Sequence, residues 1–131
     1  MDLGSGTGIL TIAALRLQAG QLTAIDIDAD ACRSCHDNLV LNQLNLKADV
    51  VCGELAALSG TLFDHIMANI YVDILVPLAP VLVAMTRPGG TLLLSGVPLQ
   101  DKFDLKSCYE RLGCHTLDSR IGEEFATYLM A

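Results

Sequence analysis

Long apolar runs are missing from this sequence of 131 residues, and none reaches the length needed to cross a membrane. The first residues form neither the basic nor the apolar segment of a secretory signal. Basic residues are few, because 8 Lys and Arg against 15 Asp and Glu give a net charge of −7. This balance argues against nonspecific binding to nucleic-acid phosphates and mildly favours a basic protein as partner. We therefore expect a soluble cytoplasmic protein that binds neither membranes nor nucleic acid directly.

The five cysteines lack the dense, regular spacing of a disulfide-rich secreted scaffold, and their number is odd. We expect all five cysteines to be reduced thiols. Residues 32–36 spell Cys-x-x-Cys-His, the attachment pattern of c-type haem, but they fall within a predicted helix and no secretory signal precedes them. No second cysteine-histidine pair has zinc-ligand spacing. Cysteines that pack a helix are the favoured interpretation, and no metal site is expected.

Strand-like and helix-like segments alternate along the chain, without repeats or low-complexity linkers. The alternation predicts an α/β fold with a Rossmann-like, doubly wound, mostly parallel sheet, a C-terminal β-hairpin and a truncated first strand. The expected strands cover residues 22–27, 48–52, 63–68 and 91–94, with the hairpin near 115–121 and 125–130. The expected helices cover residues 8–18, 30–42 and 101–112.

Prolines and glycines predict two further features. Pro77 is expected to open a helix that continues to about residue 85, since proline suits the first helical turn. Residues 88–90, Pro-Gly-Gly, are expected to turn the chain before the fifth strand. The whole chain, residues 1–131, has the length of a single domain.

The most informative segment is a glycine-rich turn near the start of the chain, in which the three glycines alternate with other residues. A dinucleotide-binding turn requires Gly-x-Gly-x-x-Gly, but Ile9 occupies the position of the last glycine, which stands one place earlier at Gly8. Glycine permits unusual φ values and a close approach of the backbone to a ligand. The spacing favours S-adenosyl-L-methionine over a nicotinamide or flavin. The residues of this turn that we expect to bind the cofactor are Asp2, Gly4, Ser5, Gly6, Thr7 and Gly8.

Polar residues follow the next strands at their carboxyl ends. Asp26 comes about twenty residues after the turn, the spacing of an acid that accepts hydrogen bonds from a ribose diol, while Asp28 is expected to cap the second helix. Glu54 follows strand three as an expected adenosine neighbour, and Asn69 and Ser95 follow strands four and five. Doubly wound sheets bind ligands beyond the carboxyl ends of their strands.

Together these segments resemble the class I S-adenosylmethionine-dependent methyltransferases, and within them the PrmA family of ribosomal-protein methyltransferases. Residues 2–8 look like the first motif of that class, and residues 24–28 look like the second. The more specific segments are Met67-Ala68-Asn69-Ile70, Leu78-Ala79-Pro80, Arg87-Pro88-Gly89-Gly90 and Leu94-Ser95-Gly96-Val97. Their order and approximate spacing match PrmA-like catalytic domains over nearly the whole chain.

The resemblance implies a seven-stranded Rossmann-like sheet and an enzyme that transfers methyl groups to amino groups of a ribosomal stalk-base protein. It adds Ile27 and Asn69 to the expected cofactor neighbours, and it implies that Asn69, Ile70 and Ser95 contact the substrate. Family members also have a full first strand and a separate N-terminal substrate-binding domain. We therefore expect residues 1–131 to be a catalytic-domain fragment that lacks both.

Asn69 is the expected catalytic residue. A lysine amine has a pKa of about 10.4, so only about one in a thousand carries a free lone pair at neutral pH. The side-chain carbonyl of asparagine can accept an amine N–H and orient the nitrogen without taking its proton.

Two alternatives remain open. One is methylation of a nucleic acid or a small molecule, although residues 70 and 71 lack the proline pair that often follows the asparagine in such enzymes. The other is a noncatalytic cofactor-binding or interaction module. The sequence predicts neither the methylated residue nor the oligomeric state.

Overall fold

The computed structural model describes all 131 residues, and the chain divides into two units, Met1–Ser59 and Gly60–Ala131. In each unit, strands alternate with helices, as the sequence predicts. The elements of the first unit are β1 (Asp2–Leu3), α1 (Ile9–Arg16), β2 (Leu22–Asp26), α2 (Ala29–Leu41), β3 (Ala48–Cys52) and a 3₁₀ helix (Leu55–Leu58).

The three strands of the first unit are parallel and lie in the order β3, β2, β1. Leu3 is paired with Ile25, and Asp26 is paired with Cys52, so the carboxyl ends of the strands meet at one edge. Asp28 caps α2 as expected, because its Oδ1 accepts a hydrogen bond from the Asp30 N–H at 2.8 Å. Ile25 of β2, Leu39 of α2 and Leu15 of α1 are among the buried residues that form the core of this unit.

The second unit continues the alternation and ends in a hairpin. Its elements are β4 (Phe63–Asn69), α3 (Val72–Met85), β5 (Thr86–Pro98), α4 (Lys102–Arg111), β6 (Thr116–Ile121) and β7 (Phe125–Met130). The strand order is β4, β5, β7, β6, in which β4 and β5 are parallel and the other pairs are antiparallel. The mostly parallel α/β fold, the short first strand and the C-terminal hairpin are confirmed.

The second unit buries one face of its strands beneath two helices. Leu92 and Leu94 of β5 are almost fully buried, as are Leu82 of α3 and Leu105 of α4. The buried Tyr109 of α4 donates its hydroxyl to the Leu75 carbonyl of α3 at 3.1 Å, which joins the two helices. Burial raises the pKa of Tyr109 far above its ordinary value, so the phenol stays a donor. Neither unit contains a helix with the length and apolar character needed to span a bilayer.

The expected start of the third helix is wrong. Helix α3 begins at Val72, and both Pro77 and Pro80 lie inside it. Its first turn forms before the prolines, because the N–H groups of Ile74 and Leu75 both bond to the Tyr71 carbonyl. The helix tolerates the interior prolines because both rings are on exposed positions and the opposite face is buried.

The expected turn at residues 88–90 is wrong, because these residues lie inside β5, in a bulge with three extra residues relative to β4. Thr86 is paired with Phe63, and the next pair of residues along these two strands is Thr91 with His65. Five residue steps on β5 thus correspond to two on β4. A Cβ at Gly90 would lie 2.6 Å from the Asp64 carbonyl oxygen, so only glycine fits this close approach. The chain stays within one strand here, parallel to β4 both before and after the bulge.

Candidate functional site

A glycine turn joins β1 to α1 in the first unit. The N–H groups of Gly4 and Ser5 both donate to the Ile25 carbonyl, at 2.9 and 3.1 Å, and the Gly8 N–H donates to the Ser5 carbonyl at 2.7 Å. Gly4, Gly6 and Gly8 have φ values of 70°, 52° and 80°, in the left-handed region that residues with a Cβ avoid. The alternating glycines are therefore required by the backbone of this turn.

Gly6 and Gly8 differ in what surrounds them. A Cβ at Gly8 would lie 2.7 Å from the Cys35 Sγ of α2, so this glycine allows the helix to pack against the turn. A Cβ at Gly6 would meet nothing within 4 Å. Space beside Gly6 is therefore available to a ligand, whereas the space beside Gly8 is filled by the protein.

Asp26, the last residue of β2, is hydrogen-bonded to the glycine turn. Its Oδ2 accepts from the Gly6 N–H at 2.9 Å, and its Oδ1 accepts from the Asp28 N–H at 3.0 Å. Each carboxylate oxygen has two lone pairs, so both retain capacity for a second donor. The structure thus brings together the turn and the acid expected to bind ribose.

Two other expected cofactor neighbours lie at the same edge of the first unit. Ile27 follows Asp26, and its side chain is 77% exposed and so accessible to a ligand at this edge. Glu54 follows β3, where the Gly53 N–H donates to the Asp26 carbonyl at 2.9 Å. Both side chains remain exposed, and Thr7 is exposed as well.

Asp2 and Ser5 are buried beneath the turn. The Asp2 Oδ2 accepts from both the N–H and the hydroxyl of Thr11, at 3.0 and 2.6 Å, while burial raises the pKa of this carboxyl. Asp2 Oδ1 and Ser5 Oγ are also buried but have no hydrogen-bond partner in the chain. Asp2 therefore holds the first turn of α1 with one oxygen and leaves the other unpaired.

Two supporting residues were not predicted from the sequence. Asn38 of α2 donates its side-chain N–H to the Thr7 carbonyl at 2.9 Å and so ties the turn to the helix. Thr11 holds Asp2 as described. The three-residue spacing of Thr11 from Gly8 places it in the first helical turn, a weak signal, whereas no local pattern marks Asn38. Cys32 and Cys35 are buried on α2, which confirms their interpretation as helix-packing residues.

The expected substrate residues come together in the second unit. Asn69 ends β4 and is paired with Ser95 of β5, whose hydroxyl lies 2.9 Å from the Thr127 Oγ1 of β7. Ile70 follows Asn69 in the loop that leads to α3. A cavity of about 270 Å³ lies elsewhere in this unit, among residues that include Arg87, Gly90 and His115, and none of the predicted site residues lines it.

The first unit has features that fit an adenosine-bearing cofactor. Open space faces the backbone at Gly6, the Asp26 oxygens retain lone pairs, and the buried Asp2 Oδ1 and Ser5 Oγ lack partners. A glycine turn that opens a helix and an acid at the end of the next parallel strand are typical of nucleotide-type cofactor sites. The residues present are therefore compatible with S-adenosylmethionine.

Solved structures with the same fold define the class of this chain. It superposes on the ribosomal protein L11 methylase of Lactobacillus delbrueckii subsp. bulgaricus with a TM-score of 0.93 and 25% identity, over 99% of this chain and 67% of that one. An RNA methyltransferase from Salinibacter ruber, solved with S-adenosyl-L-homocysteine, shares the fold at a TM-score of 0.79 and 19% identity, over 98% of this chain and 76% of its own. The fold is that of the class I methyltransferases.

The sequence comparisons identify the family within this class. The family model described as "Ribosomal protein L11 methyltransferase (PrmA)" matches residues 1–126, and the chain belongs to this family. The ribosomal protein L11 methyltransferase of Pelobacter propionicus is 47% identical over 97 residues, which are 74% of this chain and 31% of the relative. That of Chloroflexus aurantiacus is 33% identical over 95% of this chain and 45% of the relative. The chain thus spans less than half the length of these relatives, and the resemblance to the PrmA family is confirmed.

Proposed function

We propose that this chain is a catalytic domain for S-adenosylmethionine-dependent methylation of amino groups on a protein, most specifically ribosomal protein L11. Membership of the PrmA family and the names of the relatives support the reaction and the substrate. The observation that carries the cofactor assignment is the hydrogen bond between Asp26 and Gly6, beside open space at Gly6.

The family model spans residues 1–126, which supports a single domain over residues 1–131. Because a ribosomal protein is the proposed substrate, we also propose a cytoplasmic location.

In this proposal, the residues of the first unit hold the cofactor. The backbone from Gly4 to Gly8 allows close approach, Asp26 accepts hydrogen bonds from a ribose diol, and Ile27 and Glu54 contact the adenosine. S-adenosylmethionine supplies a sulfonium methyl group that is already an activated electrophile. The protein therefore has only to orient the attacking nitrogen and exclude water.

Asn69 is proposed to orient the substrate amine. Its side-chain carbonyl can accept one N–H of a neutral amine, which directs the nitrogen lone pair away from that hydrogen bond. Ile70 and Ser95 are proposed to contact the substrate, and an apolar surrounding would lower the amine pKa and increase the neutral fraction. This role requires no transfer of a proton to Asn69.

Calorimetry with S-adenosylhomocysteine tests the cofactor site. The chain is expected to bind, and Gly6→Ala is expected to weaken binding by about tenfold or more, which is about 1.4 kcal/mol. Gly60→Ala is the matched control, because Gly60 also has a positive φ, 81°, and a Cβ there would meet nothing within 4 Å. Both variants carry similar backbone strain of roughly 1–2 kcal/mol. Absence of heat from the folded chain would instead support a noncatalytic interaction module, and equal affinity of the two variants would remove Gly6 from the site.

Methyl transfer tests Asn69. Residues 1–131 would replace the matching segment of the Pelobacter propionicus methyltransferase, so that the portion of the relative that this chain does not span is supplied. Asn69→Ala is expected to lower kcat/KM toward ribosomal protein L11 by a larger factor than it weakens binding of S-adenosylhomocysteine, because Asn69 is an expected neighbour of the cofactor as well as the residue that orients the amine. An unchanged kcat/KM would remove Asn69 from the mechanism.

A further inference from the structure

Strand β5 contains a second bulge, beside Asn69. Leu94 is paired with Tyr128 of β7, and Val97 is paired with Ala126, so β5 has one extra residue in this interval. Gly96 lies in the interval with a φ of 75°. Bulges re-aim side chains at the edges of functional sites because they bend the strand and change its twist. This bulge lies at the strand end that carries the proposed substrate residues.

The bulge places the backbone of β5 directly against the Asn69 side chain. A Cβ at Gly96 would lie 2.6 Å from Asn69 Oδ1, closer than any real Cβ contact. The next atoms, Asn69 Cγ and the Ile70 carbonyl oxygen, would be at 3.7 and 3.8 Å, which are ordinary contacts. The missing Cβ therefore leaves space for one atom in particular, the carbonyl oxygen that the proposed mechanism uses.

A positive φ alone does not explain the environment of Gly96. Gly89 lies in the same strand with a φ of 80°, and a Cβ at that position would meet nothing within 4 Å. The two glycines therefore share the backbone requirement but differ in the contact with Asn69. The bulge is also held from the other side, because Ser95 Oγ lies 2.9 Å from Thr127 Oγ1.

We propose that Gly96 is a positioning residue for methyl transfer: the β5 bulge sets the orientation of the Asn69 amide, and a side chain at residue 96 would displace it. The inference rests on the proposed function for its catalytic consequence, while the contact itself can be tested without turnover. Because the crowded atom is the end of a side chain, Gly96→Ala should move the Asn69 amide rather than the strand.

Nuclear magnetic resonance of the side-chain amides tests the contact. The Asn69 Nδ2 signals are assigned by their loss in Asn69→Ala. Gly96→Ala is expected to shift those signals, and the matched control Gly89→Ala is expected to leave them in place. Unchanged Asn69 signals in Gly96→Ala would overturn the inference.

If Gly96→Ala folds poorly, thermal unfolding tests the contact between residue 96 and the Asn69 side chain. Removal of the crowded atom in the double variant Gly96→Ala/Asn69→Ala should restore part of the lost Tm, because only the backbone strain at residue 96 then remains. Gly89→Ala/Asn69→Ala should show no such recovery relative to Gly89→Ala. If both pairs behave alike, Gly96 has no specific relation to Asn69.

The consequence for catalysis is tested by kinetics of the Pelobacter propionicus methyltransferase in which residues 1–131 replace the matching segment. Gly96→Ala is expected to lower kcat by about tenfold or more, since small displacements of a positioning group reduce rate strongly. The affinity for S-adenosylhomocysteine should be unchanged, and in the Asn69→Ala background Gly96→Ala should cause no further loss. If Asn69→Ala is itself fully active, the proposed role of Asn69 fails, whereas a shifted amide signal would still support the contact. A full additional loss in the Asn69→Ala background would show that Gly96 acts independently of Asn69.

Discussion

The Thr11 hydroxyl has a specific structural role at the start of α1, because it donates to the buried Asp2 Oδ2 at 2.6 Å. Thr11→Val keeps the shape of the side chain but removes this donor, and the loss of a hydrogen-bond partner from a buried polar group costs about 1–3 kcal/mol. We expect a loss of that size in the free energy of unfolding, measured by urea denaturation. Thr11→Ser keeps the hydroxyl and should lose clearly less. If the serine variant is as unstable as the valine variant, the hydrogen bond contributes little.

Asp2 makes stability depend on pH. Burial raises its pKa above the ordinary value of 3.8, and hydrogen bonds from Thr11 only partly oppose this effect. The folded state therefore binds the proton more tightly than the unfolded state. The contribution of Asp2 to stability is fully present below pH 3.8 and declines as pH rises through the raised pKa.

Asp2→Asn should remove this decline, because the amide keeps a side-chain oxygen for Thr11 and does not titrate. We expect the stability of the variant relative to the original chain to increase as pH rises from acid toward neutrality. Urea unfolding at a series of pH values measures the difference. A difference that is independent of pH would show that the pKa of Asp2 is the same in both states.

At the scale of elements, α3 contains a defect that another helix partly compensates. Pro80 has no N–H to donate to the Val76 carbonyl, and the Cys108 thiol of α4 donates to that oxygen instead, at 3.8 Å. Pro80→Ala restores the missing donor. We expect it to raise the free energy of unfolding by about 1–2 kcal/mol, because the proline penalty of about 3 kcal/mol is offset by the freedom the unfolded chain gains.

Cys108→Ala is the matched control for this prediction. It should lower stability in the original chain more than in Pro80→Ala, in which the backbone supplies the donor. Chemical denaturation of the four chains measures the coupling between the two positions. Equal effects of Cys108→Ala in both backgrounds would show that the thiol does not substitute for the missing N–H.

Most elements could be predicted from the sequence because their apolar periodicity is local. The predicted strand at residues 48–52 is identical to β3, and the predicted helix over residues 30–42 differs from α2 by one residue at each end. The sequence does not predict the start of α3, because proline usually occupies the first turn of a helix, whereas burial of one face of α3 outweighs that preference. The sequence does not predict the bulge at residues 88–90, because a bulge depends on pairing with a distant strand, here β4.

In the candidate site too, some features follow from the sequence and others depend on packing. Parallel strands bring their carboxyl ends together, so the proximity of Gly6 to Asp26 and of Asn69 to Ser95 follows from topology alone. The contacts of Asn38 with Thr7, and of Cys35 with Gly8, depend on how α2 packs. No spacing rule predicts those partners. The functions of the expected site residues stay predictions until the binding and turnover experiments are made.

For the whole molecule, the net charge of −7 should influence how partners approach. A basic ribosomal protein should associate faster at low ionic strength, by about tenfold or more, because long-range attraction is screened over about 8 Å at physiological salt. Surface plasmon resonance at two salt concentrations measures the association rate, with an acidic protein of similar size as the control. An association rate that does not change with salt would show that net charge has no part in recognition.

The bulge between Thr86 and Thr91 has a practical consequence. Between these two residues β5 advances by five residues while β4 advances by two. The number of residues in the bulge is therefore not fixed by the pairing of the two strands. A Cβ added at Gly89 would also meet nothing within 4 Å. A short peptide epitope or a fluorophore-labelling sequence inserted after Gly89 should therefore leave the pairing of Leu92 to Leu94 in place, which makes this position a suitable attachment point for a reporter.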